Sequence, residues 1–343
     1  MSSLAEVAQA AGVSVSTASR VLTGSSHPIS AKTRAKVIEV AEELGYSPSA
    51  LARALVSRSS RLMGVLVSDI VNPYFSVIAR GVDDVASRAG YVTMLCNVDR
   101  RTTTEITRVR TMRDYRAAGV IFAGSGYVDD PREPELAKAV RQAQEQGIRA
   151  VSLTARDIGC PVIAADAQAA AHDITDYLVS LGHRRIAFIE GPEGMVATRQ
   201  RRDGFLACMS NADLAGSAQC LPGGFDFEAG HAATMRLIAR PPLPDAIVAA
   251  NDEAAVGALN ALRQAGIDVP GEVSVAGIDD LRVAQFVGLT TVSLPLYEMG
   301  AMAARHIIDT PPESATGPAE NTALSHRLIP RDTTARRPAR AGS

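Results

Sequence analysis

At 343 residues the chain is long enough for two or three folding units. A composition of 46% hydrophobic and 21% charged residues excludes a largely disordered polymer, and no run approaches 18 uninterrupted apolar residues, which excludes a helical membrane span. The net charge of -2 hides an uneven distribution: residues 1–61 hold seven basic and four acidic side chains, leaving -5 on the remainder.

Along the chain, Ser3-Leu4-Ala5-Glu6 has the form of a capping box, in which the serine hydroxyl and the glutamate carboxylate satisfy each other's backbone N–H groups. Leu4, Val7, Ala8 and Ala11 recur at helical spacing until Gly12. Ser14 is placed to cap a second helix, Val15 to Thr23, with Ala18, Val21 and Leu22 turned inward. Beyond a loop with Gly24 and Pro28, Ser30 caps a third helix through Lys32, Val37, Ile38, Val40, Ala41 and Leu44, ending at Gly45. None of the three could bury an apolar face alone, so a shared small core is expected.

From Leu62 onward, apolar runs bounded by turn residues alternate with amphipathic segments. Strands are expected at Met63–Val67, Tyr91–Cys96, Gly119–Phe122 and Ala150–Leu153, with helices near 74–89, 105–115 and 135–146. The alternation then begins afresh: Val162–Ala165, a helix to Leu181, Arg185–Ile189, a helix near 201–209, the Phe225 loop and a helix, Ala246–Ala249, a helix over 252–264, and Val273–Gly277. Repeated βα units form parallel doubly wound sheets, and two sets imply two subdomains with a cleft between them. Ligands of such sheets bind beyond the carboxyl ends of the strands. The polar, basic segment after Arg331 reads as a frayed terminus whose arginines could touch nucleic acid non-specifically.

The four cysteines are widely spaced, with no C-x-x-C pair and no neighbouring histidine at ligand spacing, so buried reduced thiols are expected rather than disulfides or a metal site. Glu6 stands where a signal peptide would need basic and then apolar residues, which points to the cytoplasm.

The stretch LAEVAQAAGVSVSTASRVLTG, followed by ISAKTRAKVIEVAEELGYSPSALARAL, resembles the DNA-binding head and hinge of the LacI family of bacterial transcriptional regulators. GVLVSDIVNPYF, LGHRRIAFIEGP, ANDEAAVGAL, VPGEVSVAGIDD and LTTV continue the resemblance in order through the body. It implies an N-terminal all-α helix-turn-helix head at 1–46, a hinge helix and linker at 47–61, and an effector-binding and dimerisation domain at 62–335. The last is an α/β core of two doubly wound parallel-sheet subdomains, like a periplasmic binding protein, divided as 62–162 with 291–323 and 163–290 with 324–335. Residues 336–343 are expected to be a flexible tail.

The second helix of such a head enters the major groove with its N-terminal residues facing base edges. Val15, Ser16 and Arg20 stand outward on it; arginine can bond guanine in bidentate fashion, and valine can contact a thymine methyl. Ser3, Ser14, Thr17, Ser19 and Thr23 carry short hydroxyls suited to phosphates or base edges, although Ser3 and Ser14 could serve as helix caps alone. His27 and Lys32 complete the DNA set in the head. In the hinge the resemblance adds Ser49, Ala52 and Leu55, the leucine as a minor-groove wedge.

For the cleft, the resemblance assigns Asp69, Asn72, Tyr74, Phe75, Arg201, Phe225, Asn251 and Asp279 to a small-molecule effector, a sugar or related metabolite. Carboxylate, amide and guanidinium groups suit polyhydroxylated ligands, and an aromatic face suits a ring. Thr154, Ala155, Ala167 and Leu294 depart from the family's common polar residues, which points to a ligand that is smaller, less hydroxylated or not a sugar.

The partners expected are double-stranded operator DNA, the effector and a second copy of the chain, with no cofactor, metal or membrane. No heptad repeat follows Arg331, so a dimer is expected rather than a tetramer. An enzyme is not expected, because G-x-G-x-x-G, G-x-S-x-G, P-loop and H-E-x-x-H patterns are all missing. A solute-binding protein of the same core fold is the alternative reading; it would have no use for residues 1–55.

Overall fold

The computed structural model describes residues 2–22, 27–46, 60–316 and 321–337, which divide into two compact units: a head up to Arg61, with 115–117, and a body formed by the rest.

In the head, α1 (Leu4–Ala11), α2 (Val15–Leu22) and α3 (Ala31–Glu43) enclose a core of Val7, Ala8, Ala11, Ala18, Val21, Val37 and Ala41. The capping box is formed: Glu6 N–H donates to Ser3 Oγ at 3.3 Å, and Ser3 N–H donates to Glu6 Oε2 at 2.7 Å. Gly12 ends α1 with φ 70°, a left-handed conformation that only glycine adopts without strain, and so turns the chain into α2. Of the apolar residues along α3, Ile38 at 42% and Leu44 at 38% exposure lie outside this core. So small a core has room for one stripe of α3, which Val37 and Ala41 fill.

The body contains a parallel four-stranded sheet ordered β2-β1-β3-β4: β1 (Leu62–Val67), β2 (Val92–Asn97), β3 (Gly119–Phe122) and β4 (Arg149–Ser152). Helices α4 (Pro73–Arg88), α5 (Thr102–Asp114) and α6 (Glu133–Gln144) alternate with its strands. Beside β4, a bridge from Ser152 to Val162 leads into β5 (Ile163–Ala165), which pairs with β11 (Thr322–Leu324). Arg156, buried after β4, bonds both oxygens of Glu105 on α5 and reaches Glu133 on α6, tying this lobe's outer helices to its cleft edge.

The second sheet is ordered β12-β10-β9-β8-β6-β7. It comprises β6 (Ile186–Ile189), β7 (Ala218–Leu221), β8 (Ala246–Ala249), β9 (Ser274–Asp279), β10 (Thr290–Ser293) and β12 (Arg327–Ile329), with only β12 antiparallel. Its helices are α7 (Ala167–Ser180), α8 (Val196–Asn211), α9 (Phe227–Ile238), α10 (Asp252–Gln264) and the short α11 (Arg282–Phe286). From β10 the chain returns to the first lobe as α12 (Leu296–Asp309).

The strand β5 adjoins the first sheet and β10 pairs into the second. Two expectations need correction. The strands β7, β10, β11 and β12 are additions, because these segments of three or four residues are too short or too weakly apolar to signal one. The segment after Arg331 is tied down as far as Arg337: Arg331 pairs with Asp280 at 2.6 Å, Val275 N–H donates to the Thr333 carbonyl at 2.8 Å, and Arg337 N–H donates to that of Leu181 at 2.9 Å. Buried carboxylates and an open strand edge give this basic segment partners. Cys96, Cys160 and Cys208 are buried, and Cys220 on the edge strand β7 is half-buried.

Glycines set the approach of several helix pairs. A Cβ at Gly81 of α4 would run into the Tyr297 carbonyl on α12, and one at Gly300 into the Ile78 carbonyl on α4. Gly81→Ala is therefore expected to destabilise the first lobe by about 1–3 kcal/mol through overpacking, measured as a lower urea midpoint. An unchanged midpoint would show that the two helices can separate freely.

Candidate functional site

In the head, the two faces of α2 divide cleanly. Ala18 and Val21 are buried, while Val15 (49% exposed), Ser16 and Arg20 are exposed on the opposite side, with Ser19 half-buried among them. Ser14 Oγ accepts the Thr17 N–H at 3.1 Å and contacts the hydroxyls of Ser16 at 3.0 Å and Thr17 at 2.8 Å, so it caps the helix and joins a hydroxyl cluster at its N-terminus. Ser3 is occupied by its capping box. His27 and Lys32 are exposed, Lys32 in the first turn of α3, where Ser30 caps by accepting the Thr33 N–H at 3.1 Å. The helix thus presents a small polar and apolar row with one long cation. Thr23, Ser49, Ala52 and Leu55 lie outside the described residues.

In the body, the carboxyl ends of the strands face a cleft. Ser68 and Asn72 follow β1, Arg100 follows β2, Ala123 and Ser125 follow β3, and Thr154 follows β4. Opposite them stand Met195 and Ala197 at the start of α8, Arg201 one turn on, Phe225 after β7, Asn251 after β8 and Asp279 at the end of β9. Asn72, Tyr74, Phe75, Arg201, Phe225, Asn251 and Asp279 all line this space. Asp69 stands behind this lining rather than in it. Its carboxylate accepts from Arg100 at 3.2 Å and from the Val71 N–H at 3.1 Å, so it holds the arginine that does reach the cleft. Arg100 was legible in principle, as a residue just after a strand.

At the centre, Arg201 Nη2 donates to Asp279 Oδ1 at 3.0 Å, Nη1 donates to the Ala250 carbonyl, and the guanidinium lies 5.6 Å from the centre of the Phe225 ring. Arg201 Nε is buried with no hydrogen-bond partner. Asp279 has φ 124°, a strained conformation for a residue with a side chain, of the kind that persists where surrounding contacts over-determine it. Burial pushes its carboxyl up to about 6, against the lowering effect of Arg201. Burial and the nearby Asp279 also raise the Tyr74 hydroxyl.

Asn251 has both polar ends engaged within the protein. Its Oδ1 accepts the Ala254 N–H at 3.0 Å, capping α10, and its Nδ2 donates to the Phe225 carbonyl at 2.9 Å. Asn72 likewise caps α4 by accepting the Tyr74 N–H at 2.9 Å. Both shape the cleft as well as line it. A neighbouring recess shares Tyr74, Thr154, Ala197 and Arg201 and is lined by the four departures, Thr154, Ala155, Ala167 and Leu294. Gln168, Gln200 and Asn321 supply amides there, which no strand-end or motif signal had marked.

The profile described as "Bacterial regulatory proteins, lacI family" matches residues 3–49, and that of a "Periplasmic binding protein-like domain" matches 175–334. Catabolite control protein A of Priestia megaterium is 31% identical over 304 residues, covering 88% of this chain and 90% of that protein. The lac repressor dimer bound to operator and the anti-inducer ONPF superposes with a TM-score of 0.83 at 26% identity, over 97% of this chain and 99% of that one. A transcriptional regulator CelR–cellobiose complex superposes with a TM-score of 0.68 at 28% identity, over 97% of this chain and 100% of that one. Among the described residues, no helix is long and apolar enough to cross a membrane.

Removing one member of the buried pair strands the other. Asp279→Ala is expected to lose about 3–5 kcal/mol of stability by urea unfolding, and adding Arg201→Met should recover part of it. Additive losses in the double variant would show that the two side chains are not coupled.

Proposed function

This chain belongs to the lacI family of bacterial regulatory proteins, and on that premise we propose that it is a cytoplasmic homodimeric repressor that a carbohydrate or related metabolite releases from, or locks onto, operator DNA. It is a sequence-specific DNA-binding transcriptional regulator with a cleft for a small effector. The observation that carries this is the exposed face of Val15, Ser16 and Arg20 on α2 in the same chain as a cleft lined by Arg201 and Asp279. The relatives are transcriptional regulators, which supports this reading over a solute-binding protein and supports a cleft that binds without turning its ligand over.

On DNA, Arg20 reads a base edge together with Val15 and Ser16, while Lys32 neutralises phosphate. Ser49, Ala52 and Leu55 form the hinge contact, with Leu55 as the wedge. Two heads read two half-sites because one head of this size contacts too few bases for useful specificity. In the cleft, vicinal hydroxyls bond Arg201 and Asp279, and an apolar ring face lies against Phe225 and Tyr74.

Selection from random duplex DNA is expected to return an inverted repeat, and recovery of unordered sequences would defeat the reading. On that site, Arg20→Ala should cost about 1–3 kcal/mol and relax preference at one position of each half-site. Lys32→Ala should weaken binding to all sequences and lower the salt slope by about 1.

For the effector, a thermal-shift screen of sugars and nucleosides should find a stabilising ligand. Its affinity, measured by calorimetry, should fall as the pH drops through about 6, because Asp279 then takes up a proton and no longer accepts as a carboxylate. The raised value has the opposite effect on this group's contribution to folding: that contribution is full at low pH and lost as the pH rises through about 6, so weaker binding in acid is not explained by loss of the fold at Asp279. A pH-independent affinity would place the effector away from Asp279.

A further inference from the structure

Asp252, the first residue of α10, is fully buried and does not line the cleft. Of its two carboxyl oxygens, Oδ2 accepts the Leu281 N–H at 2.7 Å and Oδ1 accepts from Thr291 Oγ1 at 2.5 Å. These partners belong to different pieces of the cleft machinery. Leu281 closes the turn that begins at Asp279, with two successive positive φ values, 124° at Asp279 and 58° at Asp280. Thr291 sits in β10, whose chain leads through Leu294 and Pro295 into α12 of the other lobe. Register brings the two together: β10 runs parallel to β9 with Thr291 beside Gly277 and Ser293 beside Asp279, and Leu294 N–H approaches the Asp279 carbonyl at 3.4 Å. Position 277 must be glycine for this, since a Cβ there would press on Asp252 Oδ1.

We propose that Asp252 is the positioning residue of the effector cleft, holding the turn that aims Asp279 and fastening it to the strand that crosses between the lobes. The inference rests on the reading of that cleft as the effector site. No arginine or lysine is paired with Asp252 among the described ion pairs, so the carboxyl works through its two hydrogen bonds rather than as a counter-charge. Burial, with Asp279 nearby, raises it well above the usual carboxylate range, which is consistent with a group whose geometry rather than charge is used. Movement of the Asp279 turn against a ligand is thereby transmitted to β10, and a change in the crossing chain is felt at Asp279.

The test uses the full-length protein without ligand, so it stands or falls separately from the effector reading. With [15N]arginine labelling, the Arg201 Nε–H resonance, assigned by its loss in Arg201→Lys, reports the Arg201–Asp279 geometry. Asp252→Ala and the milder Thr291→Val are expected to shift that resonance and to speed amide exchange about tenfold in both 279–282 and 290–294, leaving 186–189 protected. Asp252→Asn keeps an acceptor for Leu281 and can donate to Thr291 Oγ1, so it should restore both readouts. The inference is overturned if Thr291→Val leaves the Arg201 resonance in place, if exchange rises equally across the body, or if Asp252→Asn fails as badly as Asp252→Ala. Should Asp252→Ala not fold, Thr291→Val and Asp252→Asn decide the matter alone.

Discussion

The ion pair between Arg201 and Asp279 is the constraint around which the body is arranged. At 3.0 Å and an effective dielectric near 20, the attraction is roughly 5 kcal/mol before desolvation is subtracted. Both side chains are nearly inaccessible to water, and at Asp279 desolvation outweighs the attraction, so the pair depends on its remaining contacts being supplied. The Ala250 carbonyl and the Phe225 face hold the arginine, and the Phe225 loop is pinned by Asn251. The strained turn at Asp279 is held by Asp252 and by the Asp280–Arg331 pair. A ligand that offers hydroxyls to this pair competes with internal bonds, and so acts on every element that maintains them.

The head is held together differently. Among the described residues its core is seven buried side chains, all of them alanine or valine, and such a core cannot by itself fix the ends of three short helices. Helix caps do so instead, since Ser3 with Glu6, Ser14 with Thr17 and Ser30 with Thr33 satisfy N-terminal donors that would otherwise go unmet. Because the core uses one face of α2, the opposite face is left to Val15, Ser16 and Arg20, whose side chains take no part in the head's core.

Much of the fold was legible before the structure. Capping residues and apolar spacing located the three head helices to within a residue or two, and the βα alternation located eight of the eleven parallel strands among the described residues, since buried strands of this kind are continuous apolar runs. The misses have physical causes. The strands β7, β10 and β11 lack such a run, being short and interrupted by polar residues. Among the site residues, Asp69 fell on the right loop but turned to Arg100, and the amides of Gln168 and Gln200 came from helix positions that no strand-end rule marks.

The sequence by itself determined the classes of element, the family, and the strand and helix ends that carry Arg201, Phe225, Asn251 and Asp279 to the cleft, because local propensity, capping and motif order are written in neighbouring residues. Only the tertiary structure decided which of those side chains keep an unpaired polar atom and which are engaged in holding the cleft. Hydrogen-bond capacity is finite, and whether Asn251 or Asp252 directs it inward depends on partners dozens of residues away, brought near by sheet register alone.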